Sequence, residues 1–252
     1  MKEKLTKNFE SIKVSHKGRE KSNDHIVMEE SYDLMVNGTR VASLMASPSD
    51  LKELGYGYLL AEGIVESKDQ VISVQVRENE IHAFVKGSEK IGELLELRSS
   101  GCVGAEWGKE EGQISVDSDL TLTPGLVFKS LQHLRSNVYD KTSGSHSASL
   151  ISETGEVLTK TVDVGRHNAY DKVIGKALLA GVNLSKTILL STGRQSAGMV
   201  MKAARAGIPV IVSKAAPLSS GVDAAEKTGI TLICFADSEK FKIFAGHKRI
   251  AT

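Results

Sequence analysis

The second half of the chain changes its apolar rhythm, and that change restricts the fold more than any other feature. From His146 onward, short apolar runs alternate with longer segments whose apolar residues recur every three or four positions. "HSASLIS" and "EVLTKTV" read as strands around the turn Glu153-Thr154-Gly155. "HNAYDKVIGKALLAG" reads as a helix closed by Gly181, and "TILLST" as a buried strand. "QSAGMVMKAARAG" is a helix closed by Gly207, "IPVIVS" a strand, "SGVDAAEKTG" a helix closed by Gly229, and "ITLICFA" a further strand. Such an order predicts an α/β sheet, at least partly parallel, with helices on its faces. Ligands of these sheets sit beyond the carboxyl ends of the strands. The segments there are "STGRQS", "SKAAPLSSG" and "ADSEK".

The first half has another grammar. Its first 22 residues are expected to be frayed. "SYDLMVNGTRVASLMAS" reads as a hairpin turning at Asn37-Gly38, a pair that tolerates positive φ. "SPSDLKELGYGYLLAEG" reads as a helix with Ser47 as cap, Pro48 at the first helical position and Asp50 at capping-box spacing. Leu51, Leu54 and Tyr58 share one face of it. "VISVQVRENEIHAFVKG" reads as a second hairpin, and "KIGELLELRSS" stays open between helix and strand. The polar stretch "EWGKEEGQISVDSDLTLTPG" suggests a boundary, giving parts 1–117 and 118–252. After it, "TPGLVFKSLQHLRSNVY" is expected to form one helix capped by Thr123.

The charge sum is +1 over 252 residues, which argues against nucleic acid or an acidic membrane as partner. Both ends are locally basic, which fits either solvated tails or an anion site. The opening "MKEKLTKNFESIKVSH" is polar throughout, and no apolar run nears the roughly 18–20 residues that span a bilayer. A soluble cytoplasmic protein is expected. Two cysteines permit no disulfide scaffold.

Chemistry concentrates in a few places. Cys102 lies in "RSSGCVGAEWG", among glycines and near Arg98, where a thiolate would be favoured; an inert loop cysteine is the other reading. Cys234, inside "GITLICFA", reads as a small buried hydrophobe. "DVGRHNAYDK" packs Asp163, Arg166, His167, Asn168, Asp171 and Lys172 into a strand-to-helix junction, with Gly165 at the turn and free helix N–H groups behind it. "STGRQS" sets Gly193 and Arg194 in the same kind of position, without a Walker pattern. Around Pro217, "SKAAPLSSG" offers a pocket rim or simple capping by Ser219 or Ser220. His146 fits a ligand contact or a structural role. Ala148 stands where a zinc deaminase needs Glu, and no PCxxC follows, so a zinc hydrolase is rejected.

Taken in order, "VNG", "LKELGYGYLLAEGI", "SGSHSAS", "DVGRHNAYDKVIG", "STGRQSAGMVMKAARAGIPVIVSKAAP" and "GITLICF" resemble the FdhD/NarQ family of formate dehydrogenase accessory sulfurtransferases. The resemblance runs from about Glu29 to Ile250. It implies a cytidine-deaminase-like C-terminal sheet beside a smaller hairpin part. It implies a carrier that takes sulfur from a cysteine desulfurase and passes it to a molybdenum or tungsten bis-guanine-dinucleotide cofactor for formate dehydrogenase. A homodimer is implied as well.

The resemblance makes Cys102 the sulfur-bearing residue. It assigns the cofactor to Gly165, Arg166, His167, Gly193, Arg194, Ser213, Ala216, Pro217 and the run Phe235, Ala236, Asp237, Ser238, Glu239, Lys240. Three positions depart from the family pattern. The family loop commonly carries CxxC, whereas this one has a single cysteine. Gly198 stands where Glu is frequent. Asp237 stands where Arg is frequent, with Lys240 and Lys242 as substitute cations. The expected function is sulfur transfer to the cofactor; the alternative is a cofactor-binding chaperone that transfers no sulfur.

Overall fold

The computed structural model describes residues 5–87 and 114–251. The expectations placed on "KIGELLELRSS" and on Cys102 lie outside those residues. Strands β1 (Thr6–Ser15) and β2 (Gly18–Val27) pair as an antiparallel ribbon, so residues 6–22 are not frayed, contrary to the expectation. Ladder hydrogen bonds hold it, although Phe9, Ile12, Val14 and Ile26 remain exposed.

A four-stranded sheet follows, from β3 (Glu30–Val36), β4 (Thr39–Ala46), β5 (Val71–Arg77) and β6 (Glu80–Val85), in the order β4-β3-β6-β5. The β3–β4 turn falls at Asn37-Gly38, both with positive φ, as the sequence predicts. Tyr32, Leu34 and Val36 alternate inward and are buried.

Helix α1 (Leu51–Ala61) begins three residues after Pro48, and its N-cap is Asp50 with no side-chain cap bond. The capping expected of Ser47 fails because its groups are committed elsewhere. Its hydroxyl accepts the N–H of Val164, and its own N–H goes to Asp163. The single helix expected near residue 130 is two, α2 (Pro124–Ser130) and α3 (Asn137–Thr142). The chain is extended at Arg135 and Ser136, and the Ser136 hydroxyl caps α3. Thr123 caps α2 as expected.

The six-stranded sheet carries β7 (His146–Ser152), β8 (Val157–Asp163), β9 (Thr187–Ser191), β10 (Val210–Ser213), β11 (Thr231–Cys234) and β12 (Lys242–Ala245), in the order β12-β11-β10-β9-β7-β8. The β9, β10 and β11 strands are parallel, and the flanking pairs are antiparallel. The sequence reading missed β12, because "KIFA" is short and half exposed. Helices α4 (Arg166–Leu179), α5 (Ala197–Arg205) and α6 (Ser219–Thr228) follow β8, β9 and β10. The fold is α/β, as expected. Leu120, Val127, Leu131 and Leu134 pack with Ile188, Leu190, Val210 and Val212 in one apolar cluster. A second cluster joins Leu189, Ile211 and Leu232 to α4, α5, α1 and the four-stranded sheet.

Helices α1 and α4 lie backbone to backbone. A Cβ on Gly57 would sit 1.6 Å from the Asp171 carbonyl oxygen, and one on Gly175 would sit 1.9 Å from that of Glu53. Two buried charge clusters flank this contact. Asp163 pairs with Lys172, both without solvent exposure. Lys202 reaches both oxygens of Asp171 at 2.7 and 2.9 Å and Glu62 at 2.7 Å. Burial raises the Asp171 carboxyl to about 6, against the pull of Lys202.

Replacing Asp163 by Ala strands the Lys172 ammonium in the interior. We expect a loss of about 3–5 kcal/mol in urea denaturation. The double change Asp163→Leu/Lys172→Met, which removes both charges, costs less than Asp163→Ala alone.

Candidate functional site

Strand direction gathers the site. Because β8, β9, β10 and β11 all run one way, Asp163, Ser191, Ser213 and Cys234 end at a single edge, and the antiparallel β7 starts there with His146. The helices that follow β8, β9 and β10 begin at this edge, at Arg166, Ala197 and Ser219. None of the three has a side-chain cap bond or an acidic residue in its first turn. Ser219 and Ser220 therefore do not cap α6, whose N-cap is Leu218. Elsewhere Thr123, Ser136 and Asn183 do cap their helices. An uncapped helix start leaves N–H groups and a partial positive charge free for an anion.

Several of the expected residues lie at this edge, with Gly193, Ser213 and Ala236 buried and Arg194, Phe235 and Lys240 exposed. A Cβ on Gly193 would lie 2.7 Å from the Arg166 Cβ, so only glycine lets the two loops touch. Ser213 Oγ and Gln195 Nε2 each donate to the Gly193 carbonyl at 2.7 Å, and Tyr170 donates to Gln195 at 2.9 Å. That buried chain fixes the loop from Ser191 to Gln195. The N–H of Gln195 meets the Ala216 carbonyl, and Gln195 bridges to Pro217. The N–H groups of Phe235 and Ala236 reach the carbonyls of Ala215 and Ser213. Phe235 holds a left-handed backbone, φ 52°, with its ring exposed and Lys242 Nζ 5.5 Å from the ring centroid.

"DVGRHNAYDK" divides in two. Asp163, Asn168, Asp171 and Lys172 are buried and serve the fold. Arg166 and His167 do not. The Arg166 Nε is buried with no partner among the described residues. His167 is held down at about 4 by burial, with Lys202 and Arg166 adding repulsion. His146 is likewise lowered, by burial and then by Arg166, with Asp163 opposing. The Asp237 carboxylate accepts the N–H groups of Glu239 and Lys240 at 2.8 and 2.9 Å, and these bonds lower its pKa. It shapes its own turn, while Arg194, Lys214 and Lys240 stay exposed around the edge.

Burial drives the Cys234 thiol up to about 12, so it is an inert core residue. The basic C-terminal segment is not a loose tail. Arg249 donates to the carbonyls of Gly229 and Val116 beside a cavity of about 660 Å³. That cavity, lined also by Ser118 and Lys248, lies at the amino end of β11. The clustered polar residues lie at the other end of the strands, and the chemistry of their donors, not cavity size, makes them the candidate site.

A family model described as FdhD/NarQ matches residues 27–251. The chain belongs to the FdhD/NarQ family. Among curated FdhD/NarQ relatives, the sulfur carrier protein FdhD of Methanothermobacter thermautotrophicus is 35% identical, over 90% of this chain and 92% of that one. Its namesake from Wolinella succinogenes is 33% identical, over 90% of this chain and 82% of that one. A crystal structure described as a formate dehydrogenase accessory protein from Desulfotalea psychrophila superposes with a TM-score of 0.82 at 26% identity, covering 98% of this chain and all of that one. No helix among the described residues is long and apolar enough to cross a membrane.

Ring NMR should find His167 titrating near 4 instead of its ordinary 6.5. The folded chain then binds fewer protons than the unfolded chain between those values. Its contribution to stability is complete above pH 6.5 and is lost as pH falls toward 4. A midpoint near 6.5 would contradict the packing described.

Proposed function

We propose that the protein is a sulfur carrier in formate dehydrogenase maturation. Its cargo is the molybdenum or tungsten cofactor bearing guanine dinucleotides, held at the carboxyl edge of the six-stranded sheet. Three uncapped, acid-free helix starts at one sheet edge, together with an Arg166 Nε that has no partner among the described residues, carry this reading. Such an edge suits the pyrophosphates of a dinucleotide. The names of the curated relatives and of the solved accessory protein support the sulfur and formate dehydrogenase parts.

In this reading Arg166, Arg194 and the free N–H groups of α4 and α5 hold phosphoryl oxygens. Gly193 allows their close approach, and the exposed Phe235 ring offers a flat face to a base. Cys102 takes sulfur from a cysteine desulfurase. Its thiolate attacks the outer sulfur of the desulfurase persulfide, a new S–S bond forms on Cys102, and the desulfurase thiolate leaves. Delivery breaks that bond. The outer sulfur passes to the metal of the cargo as sulfide, Cys102 returns as thiolate, and the two electrons come from the metal or from two added thiols that leave as a disulfide. Cys234 is too buried and too weakly acidic to resolve the persulfide as a disulfide. One thiol must therefore do the whole of the carrying. A cytoplasmic homodimer working with a desulfurase and formate dehydrogenase completes the proposal.

Intact-protein mass spectrometry after incubation with a cysteine desulfurase and cysteine is expected to show a sulfur adduct, absent in Cys102→Ala. Guanosine diphosphate should bind both forms equally, and Arg166→Ala should weaken it about tenfold or more. No adduct with nucleotide binding intact would favour a chaperone that transfers no sulfur.

A further inference from the structure

His146 opens β7 opposite Asp163, so its ring lies on the sheet face that α4 covers, beside Arg166. Thr192 holds that ring. The Thr192 hydroxyl oxygen accepts the Ser147 N–H at 3.0 Å, leaving its own proton to give away. The nearer acceptor is His146 Nδ1 at 3.2 Å; the Ser147 carbonyl stands at 3.5 Å and already receives the Thr192 N–H. Nδ1 is then the acceptor, and a neutral ring carries its proton on Nε2. Nε2 has no partner among the described residues, although the ring is half-buried. The result is a fixed, uncharged N–H donor beside a guanidinium whose Nε has no partner among the described residues.

The two donors suit different parts of one ligand. The guanidinium and the helix starts supply charge for phosphoryl groups. A neutral imidazole, kept from protonation by burial and by the neighbouring cation, adds none. It suits an uncharged oxygen next to the phosphates, and in a nucleotide that oxygen belongs to the sugar. Resting on the anion-site reading above, we infer that His146, positioned by Thr192, is a specificity residue that donates from Nε2 to a ribose hydroxyl of the bound nucleotide. The site thereby prefers a ribonucleotide to its dideoxy counterpart.

Calorimetric titration of the full chain with guanosine diphosphate, 2′,3′-dideoxyguanosine diphosphate and inorganic pyrophosphate tests this. The unaltered protein is expected to bind the ribonucleotide about tenfold more tightly than the dideoxy form. His146→Phe should lose that tenfold for guanosine diphosphate alone, with the other two ligands unchanged. His146→Gln, which restores a neutral N–H donor, should recover most of it. Equal weakening of all three ligands by His146→Phe, or no weakening of the ribonucleotide, would overturn the inference. If the unaltered protein bound neither pyrophosphate nor guanosine diphosphate, the anion-site reading itself would fall, and this inference with it.

Discussion

Asp163 ends β8 without solvent exposure and accepts four donors. One oxygen takes the Ser47 N–H at 3.0 Å and the Lys172 ammonium; the other takes the Gly165 N–H at 2.8 Å and Asn168 Nδ2 at 3.0 Å. A carboxylate taken out of water is tolerated only when its acceptor sites are filled this fully. Each donor belongs to a different structural need. Ser47 brings in the end of the four-stranded sheet, Gly165 sets the turn into α4, and Asn168 and Lys172 lock the first two turns of that helix. Lys172 and Asn168 pass the constraint on, to the carbonyls of Ser47 and Met45. The two halves of the chain are thereby registered at one point, directly beneath Arg166.

The second buried cluster extends that logic along α4. Lys202 on α5 balances Asp171 on α4 and Glu62 at the end of α1, so three helices meet on one ammonium. Such pairs add little net stability over an apolar core, but a mismatched arrangement strands a charge. They thus select one packing. The glycine contacts between α1 and α4 act in the same direction, since no other residue fits at Gly57 or Gly175. A rigid base results, and the loops at the carboxyl edge stand on it.

What the sequence made legible follows from how local each signal is. The β9–α5–β10–α6–β11 run could be read because period and glycine stops are local properties. The β1–β2 ribbon was missed because its ten-residue strands bury almost nothing and so show little alternation. Ser47 misled because capping competes with long-range partners, and a backbone N–H 117 residues away won its hydroxyl. In the site, Arg166 and Gly193 could be picked out from residue type. The Tyr170–Gln195–Gly193–Ser213 chain could not, because its links join α4, the loop after β9, and the end of β10.

Within "DVGRHNAYDK", helix geometry assigns opposite fates to adjacent residues. Arg166 and His167 occupy the first two helical positions, where side chains and free N–H groups both lie at the sheet edge. Asn168, Asp171 and Lys172 follow on the faces turned to the sheet, α1 and α5, and are buried. Asp163, Asn168 and Lys172 satisfy one another and Lys202 takes Asp171, so both acidic residues of the motif are engaged, while the Arg166 Nε has no partner among the described residues. A guanidinium at a helix start cannot also draw on Glu62 or Asp171, because Lys202 holds both. The carboxylates of Asp163, Asp171 and Glu62 are thus all engaged among the described residues, which fits the role proposed for Arg166 toward a ligand from outside the protein.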